Sequence, residues 1–471
     1  MSHPLLTLTL MNMSLSFRNL FFVKKEMFPD EKQRTYEEHH RNVSWVYYCI
    51  IVLGFWLIAN PPTFGYKVPA MVWNDILAGI LLVVLSYFAL KPYKLWAQWA
   101  IIFLGSWLFI APMIFWAKEG AGLLINYLTG TLVVVFGLII PRQPGIKLFA
   151  QPGPNVPPGW SYNPSSWNQR VPVVFFAWVG FFVARYMGAF QMEYIDTMWD
   201  PFFGDGTRKV LTSKVSKSFP VSDAILGAFS YVVDVLFGLA GGTHRWRTMP
   251  WVVIIFGILI FPLGVVSITL VILQPVSVGH WCTLCLTSAM VSLIMIPFTI
   301  DEVVATLQMM KHEKKERNTS YWKSIWFGGT MEGGRIEEIK NPETLLSLTF
   351  KEASEDFLSR PWNLFLIFAL GAWIMLAPSF LGYSGTIANS DHIAGALIIT
   401  FTVISMSEVG RPIRYILILF GLWLIAAPWV LGTDNSMAMW NGVICGVVLI
   451  PLALPKGKVK DKRGSFDQYI K

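Results

Sequence analysis

The sequence predicts an all-α, polytopic integral membrane protein of about 12 transmembrane helices, with a central four-helix bundle flanked by two repeat modules of four helices each. Composition is the first reason. The 471 residues are 54% hydrophobic and 14% charged, with mean hydropathy +0.52. A soluble chain sits near 45–50% apolar and about 25% charged. Apolar runs are the second. About twelve are long enough for roughly 30 Å of hydrocarbon, which takes about 20 helical residues. The third is the placement of positive charge, which follows from the spans themselves.

The spans fall near 45–60, 73–90, 96–116, 123–140, 171–190, 221–240, 251–273, 282–300, 362–378, 391–407, 412–428 and 437–454. With the N-terminus in the cytoplasm, 30 of the 37 Lys and Arg lie on the cytoplasmic side and six on the other. That asymmetry is the positive-inside pattern. It predicts a multi-pass protein of the cell membrane with both termini cytoplasmic and the lipid bilayer as its surroundings. The net charge of +8 is then a consequence of topology. The basic residues are dispersed among loops, so no nucleic-acid partner is expected. The short apolar run Leu5–Leu10 lacks a basic region before it and a cleavage site after it, so no cleaved signal peptide is expected.

The first four and last four spans repeat one phrase. It runs Gly54-Phe55-Trp56 to Ala59-Asn60-Pro61, Gly105-Ser106-Trp107 to Ala111-Pro112, Gly371-Ala372-Trp373 to Ala377-Pro378, and Gly421-Leu422-Trp423 to Ala427-Pro428. Each copy is followed by a polar loop and an Asn- or Asp-bearing helix start (Asn74-Asp75, Asn126, Asp391, Asn441), then by Gly79, Gly130, Gly395 or Gly446. The expectation is four helical hairpins. Gly permits close helix approach in lipid, Trp anchors at the interface, Pro ends the first helix, and Asn or Asp caps the second. These pairs of hairpins, 45–141 and 361–455, resemble the SPW-repeat family of membrane proteins.

Between them, a Pro-rich linker (142–170) and a charged cytoplasmic linker (306–360) set off a module at 171–305. Residues 1–44 and 456–471 form the tails. Asp301–Arg317 is expected to prolong the eighth span as a solvated helix. At that span's start stands His280-Trp281-Cys282-Thr283-Leu284-Cys285. Two thiols on one turn can close a small disulfide. The N–H groups and dipole of a helix N-terminus favour a thiolate, the form that attacks disulfides. The expected outer face tolerates disulfides. Cys282 is expected at the aqueous edge and Cys285 deeper. A metal site is not expected, since only His280 stands near the pair as a further ligand.

The segment Phe219-Pro220-Val221-Ser222-Asp223-Ala224-Ile225-Leu226-Gly227-Ala228-Phe229-Ser230-Tyr231, followed by Trp281-Cys282-Thr283-Leu284-Cys285, resembles the vitamin K epoxide reductase family. The resemblance implies a four-helix core and a membrane thiol oxidoreductase whose Cys pair exchanges electrons with a quinone. It implies Cys282 and Cys285 as the redox pair, with Cys285 facing the quinone, and Asp223, Gly227 and Tyr231 at the quinone site. Many members have Asn at the position of Asp223. They also carry a second Cys pair in the loop between the first two helices, which here is 191–220 and has no Cys. An extracytoplasmic thiol protein is then expected to reach Cys282 directly. The alternative is a non-enzymatic scaffold or partner-binding protein that keeps the fold. Cys49 and Cys445 read as core residues, and Arg185 and Asp234 as charged groups inside spans.

Overall fold

The computed structural model describes residues 37, 40–92, 94–115, 120–139, 153–193, 195–218, 222–337 and 360–470. Nearly all of the N-terminal tail up to residue 39, the first part of the Pro-rich linker, Phe219-Pro220-Val221 and residues 338–359 of the charged linker lie outside the described residues. The protein is an all-α polytopic membrane protein, and no strand occurs among the described residues. Nine helices there are long and apolar enough to cross a bilayer, or ten if the bent pair Gly206–Ser218 and Asp223–Leu239 is one span. Two more apolar helices, Leu95–Ile114 and Gly120–Ile139, run for 20 residues each. Length and composition of the described residues do not by themselves confirm the count of twelve.

The chain divides into two compact units. The first, residues 1–153 with 239–242, holds α1 (Trp45–Phe64), α2 (Pro69–Ala89), α3 (Leu95–Ile114) and α4 (Gly120–Ile139). Its helices pair as hairpins, α1 with α2 and α3 with α4. The reason is the repeated glycine. A Cβ on Gly79 would meet the Gly54 carbonyl at 2.5 Å, and one on Gly130 would meet the Gly105 carbonyl at 2.8 Å. Polar side chains then join the two hairpins. Trp107 Nε1 donates to Asn74 Oδ1 (2.8 Å), and Asn126 Nδ2 donates to Asp75 Oδ2 (3.0 Å).

The second unit, residues 154–238 and 243–471, holds α5 (Trp167–Gln191), α6 (Asp223–Leu239), α7 (Pro250–Leu273), α8 (Thr283–Glu316), α9 (Trp362–Leu381), α10 (Thr386–Ser405), α11 (Ile416–Val430) and α12 (Ser436–Ala453). Here too the repeat glycines meet, Gly371 with Gly395 and Gly421 with Gly446. The Trp bonds are reciprocal: Trp373 Nε1 to Asn441 Oδ1 at 2.9 Å, and Trp423 Nε1 to Ser390 Oγ at 2.9 Å.

These contacts correct two expectations. The repeat Asn and Asp do not cap helices. Asn74, Asn126, Asp391 and Asn441 all lie inside α2, α4, α10 and α12, where they bond the neighbouring hairpin or its own loop tyrosine. The cap of α12 is Asn435, whose side chain accepts from Met437 and Ala438 N–H. Nor does the repeat Pro end its helix. Pro61 and Pro378 sit in the last turn of α1 and α9, and their carbonyls accept the N–H one turn later. Termination falls to left-handed glycines, Gly65 (φ 63°) and Gly382 (φ 71°), which have no Cβ to clash there.

The extension of α8 is real, but it is solvated on one face only: Lys311 and Lys314 to Arg317 are exposed, and the other face is covered. Asp301, Glu302, Ala305, Met309 and Glu313 are buried. Segment 153–166 lies against it: Trp160 Nε1 donates to Gln308 Oε1 (2.8 Å), Tyr162 Oη to Asp301 Oδ2 (2.5 Å), and Ser165 Oγ to Glu302 Oε1 (2.5 Å). Arg245 pairs with Glu302 through two 2.6 Å bonds. Arg463, from the basic tail, is buried against Asp301 (3.0 Å) and Glu408 (2.6 Å). The basic tail is thus bolted to α8 and to the α10–α11 loop.

Candidate functional site

The site grows from the start of α8. After α7, a single π turn (Gln274–Val278) and a left-handed Gly279 (φ 73°) reverse the chain. Cys282 is the N-cap of α8, extended at φ −124° and ψ 112°, and the N–H of Cys285 points at its Sγ at 3.1 Å. Such a donor at a helix N-terminus favours negative charge on that sulfur. The two sulfurs lie at disulfide distance, with Cα atoms 5.3 Å apart. The Cys285 sulfur also touches Met187 Sδ of α5 at 3.7 Å.

A cavity of about 430 Å³ opens beside this turn, between α6, α7, α8 and the loop before α6. Cys285, Asp223, Gly227 and Tyr231 all line it, and so does Asp234. Volumes of this order, with mostly apolar walls and a few polar groups, suit small organic ligands. The residues present therefore fit a flat quinone ring in size and character. The sequence-predicted residues are brought together here, with one exception. Cys282 does not line the cavity.

Cys282 is also not at an aqueous edge, because its exposure is 0%. Its own N–H donates to Gln274 Oε1 (2.9 Å). The segment Trp199 to Thr207 holds the residues on either side of it. Asp200 Oδ1 accepts from the Thr283 hydroxyl (2.5 Å) and from Phe203 N–H (2.9 Å), while Oδ2 accepts from Thr207 N–H (3.0 Å) and Oγ1 (2.6 Å). Gly206 packs so closely on the Trp281 carbonyl that no side chain would fit there. Burial pushes the Asp200 carboxyl up, but the bonds from Thr207, Thr283 and Phe203 outweigh it and hold it below the usual carboxylate range. On its other side, Trp281 Nε1 donates to Ser379 Oγ of α9 (3.1 Å), and its ring meets His392 of α10 edge-on at 5.4 Å. The second repeat module thus touches the residue next to the Cys pair. His280 is exposed, and its backbone N–H donates to the Gln274 carbonyl.

Asp223 behaves as an acceptor. Its Oδ1 takes bonds from Gln191 Nε2 (2.6 Å), Ser216 Oγ (2.9 Å) and Ala224 N–H (2.9 Å). Gln191, which sequence reading missed, clamps the end of α5 to the start of α6 through Ser222 and Asp223. A polar residue ending an apolar span was the available signal. Tyr231, 1% exposed, spends its hydroxyl on α8: 2.8 Å from the Ser288 carbonyl, 2.8 Å from Ser288 Oγ and 2.8 Å from Ser292 Oγ. Its ring lies on Gly180 of α5, where a Cβ would collide with it. Gly227 is less constrained, since a Cβ there would meet only Ala184, at 3.7 Å. No group of three or more His, Cys, Asp or Glu able to hold a metal occurs among the described residues.

Two family models match parts of the chain. The model of the vitamin K epoxide reductase family matches residues 171–300. The model of the SPW repeat domain matches residues 44–140 and 361–456. No curated protein and no solved structure matches the chain.

Proposed function

We propose that the protein is a membrane thiol–disulfide oxidoreductase. The Cys282–Cys285 pair exchanges electrons between an extracytoplasmic thiol protein and a membrane quinone. The observation that carries this reading is the cavity wall: Cys285 faces an apolar cavity of about 430 Å³, while Cys282, one turn away, does not. That difference supports giving Cys285 to the lipid-soluble acceptor and Cys282 to the protein partner. The charge asymmetry of the loops supports cytoplasmic termini in the cell membrane, with the Cys pair on the opposite side.

A thiolate of the partner attacks Cys282 Sγ, the Cys282–Cys285 bond breaks, and Cys285 leaves as the thiolate. A second partner thiol displaces Cys282, so the partner becomes a disulfide and the pair a dithiol. A bound quinone supplies the acceptor of two electrons and two protons. Cys285 delivers the electron pair on the cavity side as the Cys282–Cys285 bond re-forms, and the two thiol protons balance those taken up. The Cys285 N–H steadies charge on Cys282 during the exchange. The segment 199–207 must swing away before a protein thiol reaches Cys282.

Trapping tests this. With Cys285→Ser in intact cells, Cys282 should accumulate as a mixed disulfide with an extracytoplasmic protein. A Cys282 that stays unattached there, together with a Cys pair that never oxidises in the wild-type protein of the cell membrane, would overturn the proposal. The full burial of Cys282 favours a second reading, a scaffold that keeps the fold without exchange, and that same result would select it.

A further inference from the structure

The cavity has a feature that the Cys pair and its neighbours do not use. Asp234, on α6, lines it, is 1% exposed, and leaves its Oδ2 without a hydrogen bond among the described residues. Of the buried side-chain atoms left in that state, this is the one on the cavity wall. Other polar groups of the wall are occupied. Tyr231 and Ser288 bond each other, Ser230 bonds the Leu226 carbonyl, and Gln274 holds the Cys282 N–H. Asp223, at the opposite end of α6, is an acceptor loaded with three donors.

Asp234 follows Asp223 by eleven residues on one helix, so it lies about 16 Å further along the axis, at roughly 1.5 Å per residue. It marks the deep end of the cavity. An unpaired carboxylate sunk among apolar side chains is strongly penalised. The acid form is neutral and carries one O–H donor. A ligand carbonyl at that end would accept this bond and remove the orphan.

We propose that Asp234, as a neutral carboxylic acid, donates a hydrogen bond to a carbonyl oxygen of the cavity's occupant and so selects ligands with an acceptor at the deep end. This rests on reading the cavity as a quinone site. Asp234 is a specificity-determining contact that supplies the carbonyl donor that Asp223, an acceptor already holding three donors, does not.

The test uses the full chain in lipid nanodiscs, with its Cys pair oxidised so that no turnover occurs. The probes are a short-tailed 1,4-naphthoquinone and a tail-matched naphthalene without carbonyls. Infrared difference spectra of the wild type should show a protonated-carboxyl C=O band that moves to lower frequency when the naphthoquinone binds. Asp234→Asn and Asp234→Leu should lack that band. By tryptophan quenching, naphthoquinone affinity should fall at least tenfold in Asp234→Leu and stay within about threefold in Asp234→Asn, whose amide still donates. The naphthalene should bind all three alike. If the naphthoquinone binds the wild type without moving a carboxyl band, the inference is wrong and the quinone site stands, whether or not Asp234→Leu folds. Equal affinity in a folded Asp234→Leu would likewise overturn the inference and leave the quinone site standing. If the naphthoquinone does not bind the wild type at all, the quinone site falls and the inference with it.

Discussion

Tyr231 of α6 holds its hydroxyl 2.8 Å from the Ser288 carbonyl of α8, one turn beyond Cys285. Two walls of the cavity are thereby fixed at one level. Tyr231→Phe keeps the ring on Gly180 but leaves Ser288 and Ser292 without that partner. Loss of a buried hydroxyl of this kind costs about 1–3 kcal/mol. The expected outcome is a lower thermal midpoint for the purified protein, with Ser292→Ala showing a smaller fall. An unchanged midpoint in Tyr231→Phe would mean that the clamp does not hold the bundle.

The Asp200–Thr283 bond closes segment 199–207 over Cys282. Removing a charge-assisted bond worth about 1.5 kcal/mol shifts an opening equilibrium roughly tenfold. Thr283→Val should therefore speed alkylation of Cys282 about tenfold in the reduced protein. The carboxyl is held below its ordinary value of 3.8, so the latch is complete above that pH and is lost only as pH falls through the lower folded value. The ratio of Thr283→Val to wild-type rates should hold steady from about pH 5 to 8. A ratio near one throughout would show that another element covers Cys282.

Much of the architecture is legible in the sequence. The Gly and Trp of the repeat announce hairpins because close helix packing leaves no other residue at Gly54, Gly79, Gly395 or Gly446. The purpose of the Asn and Asp is not legible. Asn74 and Asn441 stand where a helix could start, but their partners, Trp107 and Trp373, belong to the other hairpin, and no local pattern shows that pairing. Cys285, Asp223, Gly227 and Tyr231 can be gathered from motif and spacing. The burial of Cys282 cannot, because its neighbours Thr283 and Trp281 are held by Asp200 and by the second repeat module, far away in sequence. The ion pairs of Arg463 are not legible either, because the composition of the tail carries no sign of the buried Asp301 and Glu408 partners.

Gly227 offers a way to fill the cavity while sparing the bundle, since a Cβ there meets only Ala184, at 3.7 Å. Ala in its place should leave stability unchanged or raise it by about 0.5–1 kcal/mol, because glycine is a poor helix former. Gly227→Leu should weaken binding of the short-tailed naphthoquinone at least tenfold. Thermal midpoints of both variants and a quenching titration check this. Undiminished binding in a folded Gly227→Leu would place the ligand elsewhere.

Arg463 joins the tail to Asp301 and Glu408. Removing one partner of a buried ion pair costs about 3–5 kcal/mol, so Arg463→Ala should unfold or proteolyse far more readily than the wild type. Burial pushes Glu408 up, but the Lys460 N–H and Arg463 outweigh it and hold it below its ordinary value of 4.5. Its contribution is complete above that pH and lost as pH falls through the lower folded value. Arg463→Ala and wild type should differ most near neutral pH and converge in acid. Equal protease resistance at pH 7 would contradict this role.

The most direct test of the central claim counts thiols. The protein is reduced, placed anaerobically in nanodiscs, mixed with a short-tailed naphthoquinone, denatured, alkylated and read by mass spectrometry. The account predicts that Cys282 and Cys285 lose their alkylation together, as a disulfide, while Cys49 and Cys445 keep theirs. Cys282 and Cys285 both fully alkylated after exposure to the quinone would contradict it.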